Sequence, residues 1–309
     1  MTMATATPAT AERFRLGEGP VWDTPRDRLL WVDIEGRAVL QGELDGGAIA
    51  VTGRIGFDTM VGAVAAAADG TLLVAAQEHL IVQRPDGGRE DGPRVVPAGE
   101  RRRLNDGATD PAGRFLVGTL SLGGPSEREV LVRLEADGRL TVLDDDLALS
   151  NGLAWAADGR RMFSVDTLRR TVSVRDYDPG SGAVGPRRVH LRLEGGLPDG
   201  IAMDAADHLW VAVWGGGEVR RYGPDGTLVE RVATGAPHTS SVAFAGDDLR
   251  TLVITTATSE LRDDQLRAHP DSGRLFTARA EVPGLPVAPW HGPAGPAAPP
   301  AAPTPPPPA

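Results

Sequence analysis

Short apolar runs alternate with Gly, Asp and Pro turns from Phe14 to about Gly292, and no stretch keeps the spacing of an amphipathic helix. Six runs correspond: Leu29-Leu30-Trp31-Val32, Thr71-Leu72-Leu73-Val74, Arg114-Phe115-Leu116-Val117, Arg161-Met162-Phe163-Ser164, Leu209-Trp210-Val211-Ala212 and Thr251-Leu252-Val253-Ile254. Each follows a tight turn such as Asp69-Gly70, Pro111-Ala112-Gly113 or Asp158-Gly159. Ahead of each stands a second run, opened by Glu18, Val61, Asp106, Asn151, Asp199 and Ser241 at steps of 43, 45, 45, 48 and 42 residues. Further strands follow, as in Val130-Leu131-Val132-Arg133 and Val219-Arg220-Arg221-Tyr222. A period near 45 residues built from strands and turns predicts an all-β fold, a six-bladed β-propeller. Equivalent strands of a propeller surround one axis, so Glu18, Asp106, Asn151 and Asp199 are expected around a single channel.

Six such repeats need roughly 270 residues, and the chain of 309 supplies them with two extensions. Residues 1–13 read as a flexible Ala/Thr-rich leader, 14–292 as the propeller with an axial metal site, and 293–309, almost wholly Pro and Ala, as a disordered tail. No apolar stretch approaches a membrane span, and the first residues lack the basic start and apolar core of a secretory signal. Cysteine is absent, which excludes disulfides, thiolate chemistry and Cys-ligated zinc and agrees with a cytoplasmic setting. A net charge of −10 argues against nucleic acid as a partner. No obligate protein partner is evident either.

Glu18, Asn151 and Asp199 open blades one, four and five, and together offer two carboxylates and an amide carbonyl. Such hard oxygen donors suit calcium first, with magnesium, manganese or zinc as alternatives. Asn or Asp before Gly is also ordinary turn chemistry. Two features favour the cation: the same slot elsewhere holds Val61 and Ser241, and Glu18, a poor turn former, stands between two glycines. Carboxylates converging on one channel repel unless a cation intervenes. Arg103 and Asn105, in Arg101-Arg102-Arg103-Leu104-Asn105-Asp106-Gly107, are expected nearest the channel, where they can orient a polyhydroxylated or anionic ligand. Arg101 and Arg102 read as a solvated basic loop. The six histidines show no metal-binding spacing, no Gly-x-Ser-x-Gly elbow occurs, and Gly215-Gly216-Gly217 is not followed by a helix.

With these residues in view, the chain resembles the gluconolactonase / regucalcin (senescence marker protein) / luciferin-regenerating family of six-bladed propellers. The matching text is Leu16-Gly-Glu-Gly-Pro-Val-Trp22, Arg103-Leu-Asn-Asp-Gly107 running into Asp110-Pro-Ala-Gly-Arg114, Gly118-Thr119, Ser150-Asn-Gly-Leu-Ala-Trp155 and Pro198-Asp-Gly-Ile-Ala202. Leu209-Trp-Val-Ala212, Gly216-Gly-Glu-Val219 and Gly284-Leu-Pro-Val287 extend it over nearly all of 14–292. The resemblance implies that Glu18, Asn151 and Asp199 bind one divalent cation, that Asp199 also moves a proton, and that Arg103 and Asn105 bind a sugar lactone. The implied activity is metal-dependent opening of an aldonolactone or related lactone. An esterase or phosphotriesterase on the same site, and a non-catalytic ligand-binding propeller, are the alternatives. The chain departs from the family pattern after Gly118-Thr119, where residues 120–124 carry no acidic side chain.

Overall fold

In the computed structural model, which describes residues 2–292, the apolar runs are strands covered on both faces. Leu29 and Trp31 pack against Ala245 and Val253, whereas the alternating Leu30 and Val32 pack against Val64 and Val74. A strand buried on both sides needs no polar alternation, so it reads as continuous apolar sequence.

The strands form six antiparallel sheets of consecutive strands spanning 17–56, 61–94, 102–147, 150–192, 197–233 and 239–279. Their innermost strands are Gly17–Asp23, Val61–Ala66, Arg102–Thr109, Ser150–Trp155, Leu197–Met203 and Thr239–Ala245. Each lies beside the next, and the last lies beside the first. The architecture is the six-bladed propeller that the repeat predicts. Six clusters of buried side chains, one in each gap between neighbouring blades, take the place of a single core. Among the described residues no helix is long and apolar enough to cross a membrane.

Several turns are clamped by buried aspartates. Asp110 accepts the N–H groups of Ala112 and Arg114, both at 2.9 Å, and its second oxygen accepts Arg114 Nε and the Tyr177 hydroxyl. Asp204 repeats this with Ala206, His208 and the Trp210 indole N–H. The Asp110-Pro-Ala-Gly-Arg114 motif is therefore a structural clamp at a turn.

Ring closure differs from the local reading of the sequence. The stretch expected to be a flexible leader carries two strands: Thr2–Thr5 runs parallel to Leu228–Ala233 in blade five, and Thr7–Pro8 pairs with Phe276–Arg279 as the outer strand of blade six. Ala6 between them is buried in the gap between these blades and donates its N–H to Ala233 O at 2.8 Å. Its partners lie more than 200 residues away, so nothing near it in sequence announces the pairing. A six-residue helix, Asp263–Ala268, also interrupts blade six and is too short to leave a periodic signal.

Segment 283–291 straps the far end of the ring. Leu285 N–H bonds Met203 O in blade five, Trp290 N–H bonds Ala66 O in blade two, and His291 N–H bonds Gly113 O in blade three. Residues 293–309 lie outside the described residues. Deleting residues 2–8 should lower the melting temperature by roughly 5–10 °C, given about 2–4 °C per kcal/mol for a domain of this size. An unchanged melting curve would show that blade six closes without its N-terminal strand.

Candidate active site

Every innermost strand carries a β-bulge close to its start. The pairing register shifts between Glu18 and Val21, Val61 and Ala63, Leu104 and Gly107, Asn151 and Leu153, Pro198 and Ile201, and Thr239 and Ser241. A bulge leaves one residue unpaired, bends the strand and re-aims side chains. Glu18, Asn105, Asp106, Asn151 and Asp199 all stand at these shifts. The glycines beside them permit the close approach: a Cβ on Gly152 would lie 2.6 Å from Asp199 O, and one on Gly62 would lie 2.4 Å from Asn105 O. The Asn-Gly and Asp-Gly pairs thus mark bulges at the axis rather than hairpin turns.

Glu18, Arg103, Asn105, Asn151 and Asp199 are buried and Asp106 is half-buried, and hydrogen bonds made by these residues join blades three, four and five. The Asn151 amide N–H groups bond Thr167 Oγ1 at 3.1 Å and Asp199 Oδ1, while the Thr167 hydroxyl donates to Pro198 O at 2.9 Å. These donors fix the orientation of the amide, and the buried carbonyl Oδ1 of Asn151 is left without a hydrogen-bond partner. Arg103 donates to its neighbour's carbonyl, Leu104 O, at 3.0 Å and to Asn105 Oδ1 at 2.6 Å, and Asn105 Nδ2 donates to Ser150 O at 2.8 Å. Glu18 Oε2 accepts Gly19 N–H at 3.0 Å.

The electrostatics are unbalanced. Burial, then Asp199 and Asp106, hold the Glu18 carboxyl well above the usual carboxylate range. Burial, then Asp106, do the same to Asp199, against the pull of Asn151 and Arg103. Burial pushes Asp106 up to about 6. Arg103 is lowered to about 10 by burial, although Glu18, Asp199 and Glu35 oppose the change, and it stays charged at neutral pH. Glu18 and Asp199 share one guanidinium and both feel the charge of Asp106, and an uncompensated negative charge is what a cation relieves. No group of three or more His, Cys, Asp or Glu side chains able to hold a metal converges among the described residues. The oxygen set here is instead two carboxylates and an orphaned amide carbonyl, a combination that fits a hard divalent cation.

Arg101 is exposed, as the sequence suggests, but Arg102 is half-buried and pairs with the buried Glu129 at 3.3 Å, whose other oxygen accepts the Thr119 hydroxyl at 2.7 Å. Sequence reasoning did not find Thr167, which carries no motif. It weighed His238 as a channel-loop residue but did not find Trp214, Ser259 or Glu35 beside it. Trp214 stacks on His238 with ring centroids 4.1 Å apart, His238 Nδ1 bonds Ser259 O at 2.9 Å, and the Ser259 hydroxyl donates to Glu35 at 2.5 Å.

Asp106 sits deeper along the axis than the others. It lines a cavity of about 370 Å³ at the opposite end of the ring, formed by the far ends of the inner strands and by Leu285–Pro289. That cavity is mostly apolar and includes none of Glu18, Arg103, Asn105, Asn151 or Asp199.

Residues 16–258 match the family described as the SMP-30/Gluconolactonase/LRE-like region. The chain belongs to this family. A pentonolactonase of Haloferax volcanii is 36% identical over 245 residues, covering 79% of this chain and 82% of the relative. Regucalcin of Gallus gallus is 31% identical over 304 residues, covering 91% and 97%. Among solved structures, the calcium-binding protein regucalcin of Agrobacterium tumefaciens superimposes with a TM-score of 0.87 at 27% identity, covering 94% of this chain and 99% of that one. The family match takes in Glu18, Arg103, Asn105, Asn151 and Asp199.

The raised Asp106 carboxyl has a consequence for stability. Its ordinary value is 3.8, and it titrates near 6 in the fold. As pH rises between these values the unfolded chain has already lost its proton while the folded one retains it, so the contribution to stability falls. In chelator, Asp106→Asn is therefore expected to melt higher than the parent protein above about pH 6, with the difference vanishing toward pH 4. A variant that melts lower than the parent at about pH 8 would show that the Asp106 charge is compensated in the fold.

Proposed function

We propose that this protein is a hydrolase that opens a lactone ring to the hydroxy acid, working at the end of the channel that holds Glu18, Arg103, Asn105, Asn151 and Asp199. The relatives named for lactone opening support the reaction class. The observation that carries the site is the orphaned carbonyl of Asn151 beside Asp199, with Glu18 and Asp199 both buried and both pushed toward the neutral form. These three side chains would hold a divalent cation, calcium by analogy with the calcium-binding regucalcin of Agrobacterium tumefaciens. When bound, it supplies Lewis-acid polarisation of the lactone carbonyl.

Asp199 acts as the general base. One of its oxygens is held by the Asn151 amide, which orients the carboxylate and leaves the other to take a proton from the attacking water. As the water oxygen bonds to the carbonyl carbon and the ring C–O bond breaks, the proton passes from Asp199 to the leaving alkoxide oxygen. Arg103 spends only part of its five-donor fork on Leu104 and Asn105, so N–H groups remain for the substrate's carbonyl or ring oxygen. Asn105 is bound at both ends and holds Arg103 in place. The cysteine-free chain suits a cytoplasmic setting.

Asp199→Asn and Glu18→Gln separate the two roles. Both remove one charge with little change in volume. Asp199→Asn is expected to lose about 10²–10⁴ in kcat even at saturating cation, as loss of a general base does, whereas Glu18→Gln recovers in part as cation is raised. Full recovery of Asp199→Asn at high cation would leave it a ligand only. Absence of turnover on every lactone, with calcium, magnesium, manganese or zinc, would point to a binding propeller instead.

A further inference from the structure

In five blades the residue that ends the second strand pairs with the first residue of the inner strand: Asp33 with Gly17, Ala76 with Val61, Asp166 with Ser150, Trp214 with Leu197 and Thr256 with Thr239; in blade three Leu120, one residue before the strand end Ser121, pairs with Arg103. In blades one, four and five these positions stand within two residues of Glu18, Asn151 and Asp199 in the pairing register. Three of the six are polar, and all three are spent on the protein's own backbone, Asp166 also on the Arg169 guanidinium. Asp33 accepts the N–H groups of Arg15, Leu16 and Gly36, Asp166 accepts those of Ala148 and Leu149, and Thr256 donates to Arg274 O. Ala76 is buried, and Leu120 and Trp214 are half-buried and apolar.

Leu120 is the cross-strand partner of Arg103, and paired residues project from the same face of a sheet. Trp214 pairs two residues before Asp199 and carries His238 stacked on its ring. On the blade-four loop, next to Thr167, Leu168 is 44% exposed. Ser259 O can only accept, so His238 Nδ1 carries the proton, and Nε2 of the neutral ring is left as one acceptor. The wall from blade three to blade five therefore offers one guanidinium, one imidazole nitrogen and three apolar surfaces.

We propose that the lactone taken by this site carries an alkyl or aryl substituent, which lies across Leu120, Leu168 and Trp214, rather than a chain of hydroxyls. This rests on the lactone-opening reading above. A hydroxyl laid against Leu120 or Leu168 gives up water and finds no partner, and Trp214 offers only its indole N–H, whereas a methylene or aromatic ring gains burial.

The test compares kcat/KM for dihydrocoumarin and a γ-alkyl butyrolactone with that for glucono-1,5-lactone, using the full-length protein with added divalent cation. The apolar lactones are expected to lead by about tenfold or more. Leu120→Gln, which adds hydrogen-bonding groups without charge, should shrink that ratio by about the same factor, and Trp214→Ala should raise KM for the apolar lactones more than it lowers kcat. Leu120→Met, with a melting curve for each variant, controls for folding and should keep the ratio. Glucono-1,5-lactone opened as well as or better than the others, or a ratio unmoved in folded Leu120→Gln, overturns the proposal while leaving lactone hydrolysis intact. No opening of any lactone overturns the lactone reading itself, and this proposal falls with it.

Discussion

Both faces of each blade are apolar, so a blade is complete only when a neighbour lies against each side. Leu29 and Trp31 satisfy one gap and Leu30 and Val32 the next, and this division repeats around the ring until the last blade meets the first. Closure is therefore the condition on which the other contacts depend. The N-terminal strand Thr7–Pro8 completes blade six, and the segment ending at His291 ties blades five, two and three across the far end. An N-terminal stretch that looks expendable by composition, together with the segment 283–291, thus holds together a ring whose blades have no independent core.

The site exists because six strands are forced to converge. Glycines at the bulges let neighbouring backbones approach to distances no side chain would tolerate, and the bulges turn Glu18, Asn151 and Asp199 toward one another. The result is electrostatically costly: the buried Glu18 and Asp199 stand against Arg103, both raised further by the half-buried Asp106, with a carbonyl of Asn151 that no donor satisfies. Burying charge this way is tolerable where the surrounding structure is stable and another charge can enter. A rigid ring supplies the first condition, and the oxygen donor set supplies a place for the second.

The channel has two unlike ends. At one, polar side chains fill the axis and bond to each other across blades. At the other, apolar side chains and the strap Leu285–Pro289 surround an open cavity, with Asp106 between the two. Asp106 raises both Glu18 and Asp199, so its charge is felt at the site although it lines the cavity. Proximity along the axis, rather than contact, is what links it to the chemistry.

The repeat of apolar runs and turns determined the strands, their number and the blade period, because strand propensity and turn chemistry are local and the same local solution recurs near every 45 residues. It also singled out Glu18, Asn151 and Asp199, since oxygen-bearing residues at equivalent positions of different blades must meet at the axis. What it could not determine depends on partners distant in the chain. The Ala/Thr leader became two strands because distant blade edges stood open. Asp110, though part of a shared motif, proved to clamp a turn, whereas Thr167, with no motif, orients Asn151. Leu120, Trp214 and His238 acquired their place beside the site from cross-strand register and from stacking between two blades. A local pattern sets what a segment becomes; only closure of the ring decides which side chain stands next to which, because those neighbours are chosen across gaps that the sequence crosses in no single stretch.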